Sequence, residues 1–134
     1  MQARFARMPA DGANIQEIAH AARSLWHDVD AALSPIIGQR GVDALFKRSL
    51  YLRHSEYPWL ASVYADSFFR NDFAALQTAL LLQTSATAAA ANSALLQTFY
   101  DLLAKLIGDS LTEQLLRSVF DHPYSGPTVQ EISP

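Results

Sequence analysis

Four histidines, His20, His27, His54 and His122, carry the only side chains whose ordinary titration lies near neutrality, so acid, base or metal chemistry would start with them. Glu17 and His20 stand three apart, the E-x-x-H spacing that sends a carboxylate and an imidazole to one side of a helix and that carboxylate-bridged di-metal sites use. Such a site needs the motif twice and two further carboxylates, and the second copy is missing. His27 follows His20 by two turns, so the pair shares a face without converging on one ion. These residues read as the solvated side of an amphipathic helix, and no metal is assigned. The chain has no cysteine, which excludes disulfides, thiolate-bound zinc, iron–sulfur clusters and a thiol nucleophile. No serine sits in G-x-S-x-G, and Gly38-Gln39-Arg40-Gly41 suits a turn between helices rather than a phosphate cradle. No catalytic residue and no cofactor is assigned.

The run Ala19-His20-Ala21-Ala22-Arg23-Ser24 resembles the phosphoacceptor helix of histidine phosphotransfer domains, in which an exposed histidine is followed by a base at the third position and a glycine at the fourth. The resemblance covers six residues, with arginine in place of lysine and serine in place of glycine. It implies His20 as phosphoacceptor and Arg23 as the group that balances phosphoryl charge, on a four-helix scaffold.

Two other constellations suit binding rather than catalysis. Arg40, Lys47, Arg48 and Arg53 are four of the ten basic residues, with His54 adjacent and only Asp43 and Glu56 opposing them. An anion or an acidic partner surface would dock there, and a plain solvated helix face has the same letters. Half of the fourteen aromatics fall between residues 51 and 73: Tyr51, Tyr57, Trp59, Tyr64, Phe68, Phe69 and Phe73. Beside the break at Pro58 they seal the open side of a bundle, form a subunit interface or line a small-molecule pocket. The candidate binding set is Arg40, Lys47, Arg48, Arg53, Tyr57, Trp59, Tyr64 and Phe68.

The elements that must position these groups are helices. Alanine and leucine outnumber isoleucine and valine by 40 to 11, and β-branched residues favour strands. Asn14 with Glu17 forms a capping box opening a helix striped by Ile15, Ile18, Ala22, Leu25, Trp26, Val29, Leu33 and Ile36, with Pro35 near its end and Gly38 as its stop. A second helix is expected from Val42 to about Ser55, and a short one from Trp59 to Phe69. Another starts at Asp72 as N-cap and carries Phe73, Leu76 and the run Leu80-Leu81-Leu82, which is apolar all round and expected to lie deep. The alanine-rich stretch from Thr84 to Ala94 is strong helix with small side chains that permit close approach, continuing through Phe99 and Leu103 to Gly108. Ser110 and Glu113 read as a second capping box for a last amphipathic helix.

A shift of 70 positions lays Ile36-Ile37-Gly38 on Leu106-Ile107-Gly108, Leu25 on Leu95, Trp26 on Leu96, Val29 on Phe99, Leu33 on Leu103, Asp43 on Glu113, Leu45 on Leu115, Phe46 on Leu116, Lys47 on Arg117 and Leu50 on Phe120. The pattern predicts one unit used twice: a long helix, a glycine stop and a shorter helix with an acid in its first turn and a base one turn later. Two such αα-hairpins with facing stripes give a bundle of five to six helices.

At 134 residues the chain suits one domain, residues 14–121, flanked by an arm over 1–13 and a Pro/Gly/Ser-rich tail over 122–134. A net charge of −3 argues against a general nucleic-acid binder. No stretch has the length of a membrane span or the pattern of a signal peptide, which sets a cytoplasmic expectation. The functional expectation is a non-enzymatic helical interaction or regulatory domain whose first partner is a second copy of itself. Histidine phosphotransfer through His20 and small-ligand sensing through an aromatic pocket are the alternatives.

Overall fold

The computed structural model describes residues 14–66 and 73–121. Its elements are α1 (Ile15–Arg53), α2 (Leu60–Asp66), α3 (Ala74–Leu81), α4 (Ser85–Ile107) and α5 (Asp109–Asp121). No strand occurs among the described residues, and none of their helices is long and apolar enough to cross a membrane. The fold is an all-α bundle whose most extensive contact joins α1 to α4.

Helix α1 starts as expected. The Asn14 side chain accepts the Glu17 N–H at 2.8 Å while the Glu17 carboxylate accepts the Asn14 N–H at 2.9 Å, which satisfies two otherwise orphaned donors. Helical geometry fails at one residue only, Gly38, with φ 83° and ψ 156°. That region is accessible essentially to glycine alone, and the helix resumes at once on its far side. The second limb therefore begins immediately after Gly38 rather than at Val42, and Gly41 lies inside helix instead of in a turn. A Cβ at Gly41 would come within 3.2 Å of Ile37, so the missing side chain lets the second limb close on the end of the first.

The repeat at 70 residues is carried by the three-dimensional structure. Thr84 caps α4 as Asn14 caps α1, with its hydroxyl accepting the Thr87 N–H at 3.1 Å. Gly108 has φ 95° and ψ 154°, close to the conformation of Gly38. Every buried residue from 18 to 49 has a buried counterpart: Ile18 and Ala88, Ala19 and Ala89, Ala21 and Ala91, Ala22 and Asn92, Leu25 and Leu95, Trp26 and Leu96, Val29 and Phe99, Leu33 and Leu103, Val42 and Thr112, Phe46 and Leu116, Ser49 and Val119. Exposure repeats as well, since Ile36 and Leu106 both point to solvent just before their glycines. Six residues in these pairs are alanines, small buried side chains that permit close approach of the long helices.

The centre of the core is aromatic. Trp26 packs edge-on against Phe46 and Phe99, with ring centroids 5.0 and 5.2 Å away, and stacks on Phe73 at 6.1 Å. Its indole N–H donates to Asn92 Oδ1 at 2.9 Å, which ties α1 to α4 inside the core. The Asn92 amide nitrogen is buried without a protein acceptor.

Several boundaries differ from expectation. The short helix ends at Asp66, and Phe69 lies outside the described residues. Asp72 does too; the N-cap position of α3 is held by Phe73, whose φ of 64° is left-handed and whose side chain makes no cap hydrogen bond. Phe73 is instead anchored by burial against Trp26 and Phe46. Leu80-Leu81-Leu82 does not lie deep as a unit: Leu80 is buried, but α3 ends at Leu81 and the turn to Thr84 leaves Leu82 80% exposed. Ser110 caps nothing, because α5 begins at Asp109 and places Ser110 inside its first turn.

Candidate functional site

The basic residues expected to form one surface divide among three places. Arg40 and Arg48 are exposed on the second limb of α1 and Lys47 is half-buried. Arg53 turns toward α4, donating from Nε to Thr98 Oγ1 at 2.7 Å and pairing through its terminal nitrogen with Glu56. Its charge holds the end of α1 in place and is not offered to a ligand.

The aromatic segment divides in the same way. Phe73 belongs to the core, and Tyr57, Trp59 and Tyr64 are half-buried against it, with Tyr57 and Trp59 packed edge-on at 6.1 Å. Phe68 lies outside the described residues. Among the described residues of the segment, the aromatic left open is Tyr51, 52% exposed, with Leu52 beside it. The Arg48 guanidinium lies 5.9 Å from the Tyr51 ring centroid, within cation–π range, and the rings of His54 and Tyr64 stand 5.2 and 6.3 Å away. His54 is held by a hydrogen bond between Nδ1 and the Tyr51 carbonyl. The expected set is thus brought together in two places, Tyr57 with Trp59 against the core and Arg48 with Tyr64 around Tyr51, which lies outside the set. Tyr51 sits three residues after Arg48, a helical-face spacing that was available as a signal.

His20 is exposed on α1 between the buried Ala19 and Ala21. Arg23, three residues on, donates to Gln77 Oε1 of α3 at 2.9 Å. Glu17 is committed to the helix cap, so the E-x-x-H pair does not act as a unit. The His27 ring packs on Phe73 at 5.1 Å, and His122 lies outside the described residues. Among the described residues no three histidine, aspartate or glutamate side chains gather within reach of one metal ion.

The two glycine elbows differ chemically. In the first, the Gln39 amide donates to Asp30 at 2.9 Å and to Asp43 at 3.1 Å, and the Ser34 hydroxyl donates to Asp30, so one polar cluster bridges the break. The matching place in the second unit is an open groove of about 300 Å³, lined by Tyr100, Asp101, Ala104, Lys105 and Asp109. Burial raises the Tyr100 phenol above its ordinary value, and Glu113, Asp109 and Asp101 push it the same way by repelling a phenolate.

No protein-family model, no curated protein and no solved structure matches this chain.

Proposed function

We propose that the chain is a non-catalytic helical interaction domain that binds a protein partner, a second copy of itself in the first instance, through the outer face of the second limb of α1. The observation that carries this reading is Tyr51 and Leu52, large apolar side chains left in water beside Arg48 while Tyr57, Trp59, Tyr64 and Phe73 are packed on the core. Aromatic residues with an arginine are the side chains that most often dominate binding energy at protein interfaces. Sedimentation over a concentration series tests the reading. The chain associates, and Tyr51→Ala weakens association at least tenfold with unchanged helical circular dichroism; a monomer throughout the series overturns it.

Exposure of His20 favours histidine phosphotransfer as the second reading. In that case a small-molecule phosphodonor labels the wild type and not His20→Gln, and an unlabelled wild type removes it.

A further inference from the structure

We infer that two copies associate by setting the basic limb of α1 in one molecule against α5 of the other. This rests on the interaction-domain reading and names the two surfaces that meet. The limb and α5 are the matching short helices of the two units, each following its glycine with its buried positions in register. Their insides are alike, while outside the limb exposes Arg40 and Arg48 where α5 has serines, and α5 exposes Asp109 and Glu113.

On the limb, Arg40, Ala44, Arg48 and Leu52 recur every four residues and are all exposed, which makes one continuous face with Tyr51 at its edge. The limb's one acid, Asp43, is half-buried and accepts from the Gln39 amide. On α5, Asp109 and Glu113 are exposed one turn apart, and Arg117 follows as its only base. Asp101, exposed on α4, adds to the negative field at this end, the field that disfavours a Tyr100 phenolate.

Apolar side chains lie near these charges for a partner to cover. The basic face has Tyr51 and Leu52, and Ile36, 53% exposed, precedes the glycine of that unit. Leu106, 61% exposed, precedes the glycine before α5, whereas Leu111 stands on the opposite flank of α5 from Asp109 and Glu113. The two short helices are matched in reach, the 15 residues of the limb after Gly38 and the 13 of α5 each extending roughly 20 Å. Like faces cannot meet without bringing arginine to arginine or carboxylate to carboxylate, whereas a second copy offers each face its complement. Two copies that satisfy both contacts at once close an isologous pair, and a single contact per pair adds copies head to tail.

The test is charge reversal in the full chain, read by sedimentation velocity at low and high salt with circular dichroism as a fold control. Arg40→Glu/Arg48→Glu and Asp109→Lys/Glu113→Lys each stay monomeric where the wild type associates. An equimolar mixture of the two associates again, as does the chain carrying all four substitutions. Raising salt weakens wild-type association by at least tenfold, because exposed charges are screened. Should a reversed variant lose helicity, Arg40→Gln/Arg48→Gln replaces it, with weaker association expected. Wild-type affinity retained in both reversed variants overturns this contact and leaves the interaction-domain reading standing. A wild type that is monomeric at every concentration and salt overturns both.

Discussion

The two helix–glycine–helix units bury equivalent positions from 18 to 49 and differ in the polar contacts at their rims. Positions 25, 29, 33 and 46 of the first and their counterparts 95, 99, 103 and 116 of the second are all inside, although only some of the residue pairs are identical. At the rims, Gln39 bridges Asp30 and Asp43 in one elbow while the other is open beside Tyr100. One short helix exposes Arg40 and Arg48 where the sequence of the other has Ser110 and Ser118, and the other exposes Asp109 where the first has Gln39. Burial holds a position to a size and polarity, because a cavity or an unpaired polar group in the core costs stability. An exposed rim position carries neither penalty, so the rims are where the units acquired separate chemistry.

The comparison breaks most sharply at positions 26 and 96, both buried but filled by tryptophan and leucine. Trp26 meets Phe46, Phe73 and Phe99 and holds Asn92, so Trp26→Ala removes the centre of the core. A loss of about 3–5 kcal/mol is expected, against about 2–3 kcal/mol for Leu96→Ala. Urea midpoints of the two variants measure the difference. Equal losses mean that the aromatic centre is not where the bundle's stability is concentrated.

The glycines are the opposite case, since their conformations agree. A Cβ at Gly38 or Gly108 meets no atom within 4 Å, so substitution is opposed by the backbone alone. Gly38→Ala and Gly108→Ala should each cost about 1–3 kcal/mol, the range for a residue held in a disfavoured backbone region. Similar losses in denaturant unfolding support two equivalent elbows; a near-neutral result at either one marks it as able to relax.

Asn92 sharpens the comparison further, because its counterpart is Ala22. Asn92→Ala copies the first unit's residue into the second and leaves the Trp26 N–H buried without an acceptor, at a cost of about 1–3 kcal/mol. In a Trp26→Phe background there is no N–H to orphan, so the same substitution should cost less. A double-mutant cycle reads that coupling. Full additivity would show that the hydrogen bond contributes nothing.

Much of this architecture is legible along the chain, for a physical reason. Helical periodicity and the 70-residue shift both report burial, and burial is what the two units share, so the stripe from Ile18 to Leu33 and the glycines at 38 and 108 are read correctly from the letters. The errors fall where a tertiary choice decides. Leu81 and Leu82 look as apolar as Leu80, and only the end of α3 determines which of them faces inward. Ser110 and Glu113 spell a cap, but the chain re-enters helix at Asp109, one residue earlier. Of the candidate surface, the basic residues are visible and their partners are not: nothing local shows that Arg53 reaches Thr98 on α4 or that Tyr51 stays open while Phe73 is buried.

The smallest expected effect is a one-sided dependence on alkaline pH. Tyr100 stands where the first unit has Asp30, so only the second elbow carries a phenol. Burial, with Glu113, Asp109 and Asp101 behind it, holds that phenol protonated in the folded chain at a pH where the unfolded chain has begun to lose the proton. A folded value above the unfolded one means that the folded state binds more protons in the interval between them, so stability falls there as pH rises. The contribution is fully present below the ordinary phenol value of about 10 and is lost as pH climbs through the folded value. Phenolate absorbance should therefore show a late-titrating tyrosine that disappears in Tyr100→Phe. Glu113→Gln should move it back toward the ordinary range, because one of the repelling carboxylates is gone. Tyr100→Phe should also flatten the alkaline limb of the stability profile, whereas Asp30→Asn in the first elbow should leave that limb unchanged. If Tyr100 titrates at the ordinary phenol value of about 10, the open elbow is no more shielded than free solvent, and the contrast with the bridged elbow reduces to the hydrogen bonds of Gln39.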